Sequence, residues 1–208
     1  MASVSLVLIF MYAPLCVLIL NAFNERQISG WPISEFSLKW WAIAFESESI
    51  RAALLNSAVL AFGAMTIAMI LGSLVAFALS RYDFFGKGVV NLLVVLPIAL
   101  PGVVTGVAFS NTYSNFLSPA GFQIGYFGMI VAHSTFCIVM VFNNVFARLK
   151  RMNPSLQEAS MDLGEGLWGT FRLVTFPQFR TAFAAGALLA FALSFDEVVV
   201  TIFTAPPG

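Results

Sequence analysis

The chain reads as an all-α membrane protein, a polytopic helical bundle forming one transmembrane domain over residues 1–208, and three observations predict it. Of its residues 60% are hydrophobic and only 10% charged, with 22 Phe and a mean hydropathy of +0.91. That balance belongs to chains whose solvent is largely lipid. Long stretches carry no charge at all: residues 52–80, and then residues 88–147, a run of 60. One helix of that length would be about 90 Å long against a hydrocarbon core of about 30 Å, so the run must fold back on itself. The basic residues, finally, are unevenly placed. The turn at 81–88 and the loop at 147–181 hold seven of the ten, while the 111–127 connection has none. Both basic segments are therefore assigned to the cytoplasm, with the N-terminus on the same side.

Five spans are expected. The first covers residues 4–20; a signal peptide is the alternative, but no basic leading region or convincing small-residue cleavage site supports it. Because a helix entering from the cytoplasm usually starts with Lys or Arg, a trimmed N-terminus is expected here. Residues 21–56 form an external segment in which Leu38, Trp41 and Phe45 share one helical face beside Trp40, the composition of a short helix in the membrane interface. Aromatic anchoring is one reading of it; docking of a partner or cationic solute on Trp31, Trp40 or Trp41 is the other. The second span, near 58–79, offers Gly63, Ala68, Gly72 and Ala76 for close helix packing.

The turn residues of Asn111–Gly121 divide the long uncharged run into a third span near 89–109 and a fourth near 128–146. Pro97, Pro101, Gly102 and Gly106 interrupt the third. Broken helices are tolerated where the freed backbone faces protein or a water-filled cavity, so this span is a pathway candidate. A kink serving packing through Gly102 and Gly106 is the alternative. A fifth span is expected near 181–199, where Ala182, Gly186, Ala190 and Ser194 recur every four residues and invite a neighbouring helix.

Between the fourth and fifth spans lies the loop at 147–180, whose core is NPSLQEASMDLGEGLWGTFRLVTFP, Asn153 to Pro177. It predicts two short helices joined at glycine. Asn153 caps the first with Pro154 in its opening turn, or Ser155 does so with Glu158 three residues on. Leu156, Ala159, Ser160 and Leu163 share a face, and Gly164 stands where helices end in the left-handed conformation. Leu167, Phe171 and Val174 stripe the second helix, and Pro177 is expected to break the chain before the next span.

On these residues the loop resembles the EAA loop of ATP-binding-cassette importer permeases: Glu-Ala-Ala, three residues, Gly, nine residues, Ile-x-Leu-Pro. The pattern falls without a gap on Glu158, Ala159, Ser160, Gly164, Val174, Phe176 and Pro177, with Ser for the second Ala, Val for Ile and Phe for Leu. The whole chain is similar to the spermidine/putrescine type of permease, through APLCVLILNAFN, GSLVAFALSRYDFFGK, PGVVTG, AHSTFC, ARLKRMNPSLQEASMDLG and SFDEVVV. Two positions depart from that family: Gly102, where an acidic residue is common, and Glu197, where a second Asp is common.

The resemblance implies a prokaryotic inner-membrane subunit surrounded by lipid, in a heterodimer with a second homologous permease. It also implies two ABC ATPase subunits, which hold ATP and Mg, and an external substrate-binding protein; a sixth span is expected C-terminal to this chain. Residues implied to couple to the ATPase are Glu158, Ala159, Ser160, Asp162, Leu163, Gly164 and Pro177. Those implied for the pathway are Asp196, Glu197, Pro101, Gly102 and Thr105.

The residues themselves predict positioning rather than chemistry. No nucleophile with a base, no paired catalytic acids and no metal-ligand cluster is legible, so no cofactor is expected in this chain and it is not read as an enzyme. A Walker-type glycine loop is missing, and a formal net charge of zero gives no basic field for nucleic acid. Cys16 and Cys137 lie in apolar runs and are expected to stay unpaired. His133, the single histidine, is read as a hydrogen-bonded packing residue rather than a metal ligand.

Asp196 and Glu197 fall near the external end of the fifth span, where carboxylates are expensive unless they meet water or a cation. On a continuous helix, neighbours point about 100° apart, and Glu197 would lie nearer the packing stripe. Asp196 is then the stronger pathway candidate, with a solvated helix end or structural ion pair as the alternative. Three functions remain: a polyamine importer permease, a permease of the same architecture for another solute (an amino-acid-like cation, an iron complex or an anion), or a self-sufficient secondary transporter or channel. The last should show an internal repeat and ionisable residues in mid-span, and neither is found.

Overall fold

The computed structural model describes residues 2–26, 33, 35–119, 121 and 125–205. Trp31 lies outside them. The chain forms two compact units, residues 1–56 and 57–208, and within the described residues it is helical apart from turns and one isolated bridge between Asn24 and Phe36.

In the first unit α1 (Ala2–Asn21) is apolar along its length and contains Pro14. Past α1, Ser37 N–H donates to the Phe23 carbonyl at 2.7 Å and Glu25 N–H to the Glu35 carbonyl at 3.1 Å, pairing residues 23–25 with 35–37. The latter lead into α2 (Lys39–Glu46), whose first N–H is taken up by the Ser37 hydroxyl at 3.1 Å. The expected aromatic face is present and outward, with Leu38, Trp41 and Phe45 exposed. Trp41 packs between Phe23 and Phe45 at ring separations of 5.8 and 6.5 Å, and Trp40 Nε1 donates to the Glu25 carbonyl at 3.2 Å. The Glu25 carboxyl beside it raises the Glu35 carboxyl above its ordinary value. Ser47 then caps α3 (Glu48–Arg81) through the Ile50 N–H.

The second unit is built around α6 (Tyr126–Leu149). Two ladders of small residues let neighbours approach it. On α3, Ala64, Ala68, Gly72 and Ala76 are buried, and a Cβ on Gly72 would stand 2.9 Å from the Ile138 carbonyl oxygen and 3.0 Å from Val141 Cβ. On α9 (Phe176–Asp196), Gly186, Ala190 and Ser194 are buried, and a Cβ on Gly186 would stand 3.1 Å from Val141 Cα. Val141 thus sits where the two ladders converge, and at such distances no larger side chain fits. The Cys137 thiol donates to the Ala190 carbonyl at 3.3 Å. At the α3–loop end the stack is aromatic, with Phe77 on Phe179 at 5.3 Å and Phe176 edge-on to Phe179 at 5.4 Å.

Four described helices are long and apolar enough to cross a membrane. α1, α3 and α6 cover the residues expected to span at 4–20, 58–79 and 128–146, and the third stretch is broken among the prolines and glycines expected to interrupt it. Residues 89–109 are not one helix: α4 (Lys87–Ala99) and α5 (Gly102–Thr112, prolonged by a π turn over Tyr113–Leu117) meet at 108°. Pro101 is the cause, because its ring drives Leu100 out of the helical region to φ −88°, ψ 137° and removes a donor.

The helix that carries the expected 181–199 span starts earlier and ends three residues sooner. Helix extends from Leu167 to Asp196 through α8 (Leu167–Thr170), a π turn at Phe171–Thr175 and α9. Pro177 therefore breaks nothing. It sits in the first turn of α9, and the widened turn, in which Phe176 N–H reaches the Phe171 carbonyl, makes room for its ring. At the other end Glu197 is extended, at φ −79° and ψ 101°, before a short α10 (Val199–Thr204) that packs on α5 and α6.

Candidate functional site

Two places in the second unit gather the candidate residues. The first is the loop after α6. Pro154 is already helical, Asn153 Oδ1 accepts the Ser155 N–H at 3.1 Å, and α7 (Ser155–Asp162) follows. Of the two expected caps it is Asn153 that acts, and no side chain caps through a Ser155–Glu158 pair. Gly164, at φ +90°, ends the helix as expected: its N–H donates to the Met161 carbonyl at 2.9 Å and that of Glu165 to the Ser160 carbonyl at 3.2 Å. These are the two bonds of a Schellman motif, which satisfies carbonyls that a helix end leaves open.

The inward side of α7 is polar. Gln157 and Ser160 point inward, and the Ser160 hydroxyl is bonded to that of buried Thr170 at 3.1 Å, tying α7 to α8. Leu156 and Leu163, read as sharing a face with Ser160, are 51% and 86% exposed, and Leu167 and Trp168 of α8 are 80% and 72% exposed. A polar bond between two short helices decides which side faces in, and the apolar residues are left outside. Glu158, Ala159, Asp162 and Pro177 are exposed as well.

The second place is the junction of α9 and α10. A cavity of about 140 Å³ lies at the bend between α4 and α5, lined among others by Pro97, Gly102, Thr105, Phe136 and Glu197. Pro101 is exposed at the bend itself. A Cβ on Gly102 would stand 3.3 Å from Glu197 Oε1, so the absent side chain is what admits the carboxylate. Oε1 accepts the Val200 N–H at 3.0 Å, and Oε2 makes no hydrogen bond among the described residues. The one ion pair among those residues is Lys87 with Asp83, so no cationic side chain neutralises Glu197.

Asp196, preferred on the assumption of a continuous helix, is the last residue of α9 and exposed. Because the helix stops there, Glu197 turns toward Gly102 and Thr105, and Asp196 does not line the cavity. The pathway candidates Gly102, Thr105 and Glu197 are thus brought together. His133, fully buried, hydrogen-bonds through both ring nitrogens, Nδ1 to Ser194 Oγ and Nε2 to Thr201 Oγ1, each at 3.0 Å. Its reading as a packing residue holds, but its partners 61 and 68 residues away were not legible. No cluster of metal-ligating side chains occurs among the described residues.

The description "Binding-protein-dependent transport system inner membrane component" matches residues 68–208. The chain is 32% identical over 200 residues to the spermidine/putrescine transport system permease protein PotC of Escherichia coli (strain K12), covering 96% of this chain and 74% of that one. Against the putrescine transport system permease protein PotI of the same strain the identity is 31% over 206 residues, covering 96% and 72%. A PotC homolog of Mycoplasma pneumoniae is 26% identical over 208 residues, covering 94% and 71%.

Proposed function

The chain belongs to the family of binding-protein-dependent transport system inner membrane components, and from that premise we propose that it is the permease subunit of an ATP-driven polyamine importer. Two relatives above 30% identity carry polyamine transport in their names. The geometric observation that carries the reading is the Glu197 carboxylate, in a cavity at the bend of a broken helix with no cation paired to it. A carboxylate at membrane depth is costly unless it meets water or a cation, and a protonated amine supplies that cation. On this reading Asp196, exposed at the end of α9, receives the amine first and Glu197 receives it beside Gly102 and Thr105, with Pro101 holding the bend open.

The loop does the coupling. Exposed Leu163, Leu167 and Trp168, flanked by Glu158 and Asp162, form an apolar patch with an acidic rim of the kind that marks a docking surface. An ATPase subunit seated there would pull on the Ser160–Thr170 bond as its dimer closes on ATP and Mg. The helical continuity from α8 to α9 would then carry the movement into the spans. Gly164 and Pro177 give that lever its turn and its fixed register. The complete assembly on this reading holds a second permease subunit, two ATPase subunits and an external binding protein, with the N-terminus of this chain in the cytoplasm.

The test is uptake of radiolabelled spermidine and putrescine by the complex reconstituted with its partners. Uptake should require ATP and the binding protein. ATP-driven uptake of another solute class in place of polyamines would overturn the substrate, and uptake without ATP would overturn the coupling.

A further inference from the structure

The break after α9 is not made by a helix-breaking residue. SFDEVVVT, Ser194 to Thr201, contains neither Gly nor Pro, and among the described residues positive φ occurs only at Gly86, Gly121 and Gly164. Locally, the Glu197 side chain accepts the Val200 N–H at 3.0 Å and so caps the start of α10. What further holds the junction is a line of directed hydrogen bonds. The Thr201 hydroxyl lies 2.7 Å from the main-chain carbonyl of Glu197 and donates its single proton there. Its oxygen is then an acceptor for His133 Nε2, 3.0 Å away, which places the imidazole proton on Nε2. Nδ1 is left bare and accepts the Ser194 hydroxyl at 3.0 Å. Ser194 belongs to the last turn of α9 and Thr201 to α10, so one fully buried ring on α6 grips the chain on both sides of the break.

We infer that His133 is a positioning residue for the solute pathway, holding the α9–α10 junction through Ser194 and Thr201 so that the Glu197 carboxylate stays in the cavity beside Gly102. If the grip is lost, α9 can extend past Asp196. Each added helical residue turns its side chain by about 100°, which carries Glu197 away from the bend. The inference rests on the reading that Glu197 meets the solute, and its test separates the two.

The test is the solute concentration that half-saturates ATP-driven spermidine uptake by the reconstituted complex, with recovery of assembled complex as the control for folding. Thr201→Val keeps the shape and removes the hydroxyl. It should raise the half-saturating concentration about tenfold, the scale of one buried hydrogen bond, with the effect falling there rather than on the maximal rate, and Thr201→Ser should restore it. In a Glu197→Gln background, Thr201→Val should add less than about twofold, because the group it positions is already lost. Should Thr201→Val lower recovery of the complex, Ser194→Ala, which frees the other ring nitrogen, is read in the same way. A wild-type half-saturation in Thr201→Val, or a full tenfold effect retained in the Glu197→Gln background, overturns the positioning role. A wild-type half-saturation in Glu197→Gln overturns the reading beneath it.

Discussion

Gly164 and Glu197 both end a helix of the second unit, and they do so by different means. At Gly164 the stop is local: a residue without Cβ at φ +90°, two backbone bonds within six residues, and open space where a side chain would go. At Glu197 a local bond from the Val200 N–H to the side chain is joined by a hold from elsewhere, a histidine more than sixty residues earlier bonded to two hydroxyls that flank the break. A local stop survives the loss of its surroundings. A long-range hold moves with the helices that make it, and the cavity carboxylate lies at the stop that carries one.

The comparison can be broken most forcefully at His133. His133→Leu removes both ring bonds, leaving the buried Ser194 hydroxyl without its partner and the half-buried Thr201 hydroxyl with only the Glu197 carbonyl, which should destabilise the complex by about 2 kcal/mol. Thermal unfolding of the purified assembly checks it, and an unchanged midpoint would mean the junction is not held from α6. Gly164→Val should cost stability no more than that, about 1–2 kcal/mol, because the added side chain meets nothing and only the left-handed backbone resists it. Its larger effect should be functional, with solute-stimulated ATPase and uptake both falling; normal values for both would remove Gly164 from coupling. Asn153→Ala should cost about 1 kcal/mol by loss of the α7 cap while Ser155→Ala costs little, and equal costs would contradict the assigned cap.

The smallest effect is expected at Asp83, where an exposed bond to Lys87 holds the carboxyl below its ordinary 3.8. A lowered acid contributes stability above its unfolded value and loses it as pH falls through the folded one. The slight deficit of Asp83→Asn should therefore be present at neutral pH and vanish in acid. A deficit independent of pH would exclude the ion pair as its source.

What the sequence made legible follows the same division. The start of α7 at Asn153 and Pro154, its end at Gly164, and the ladders of α3 and α9 all depend on residues within a few positions of one another, and all are present in the fold. Pro101 was equally plain as an interruption, though not as a turn of 108°, since the angle depends on what α5 packs against. Pro177 misled because a proline in a first turn and a proline that ends a helix look alike until the π turn before it is seen. The ranking of Asp196 over Glu197 rested on helical periodicity across a junction that SFDEVVVT does not mark, and the helix ends between the two. The outward Leu163, Leu167 and Trp168 escaped because the Ser160–Thr170 bond, between two residues ordinary in sequence, decides which way α7 faces.

The account stands most directly on the charge of Glu197. Glu197→Gln keeps the side chain's length and an oxygen to accept the Val200 N–H while removing the negative charge. At low, rate-limiting spermidine, uptake by the reconstituted complex should fall about tenfold, with assembly and ATP binding intact. Uptake equal to that of the unmodified protein under those conditions would contradict the account.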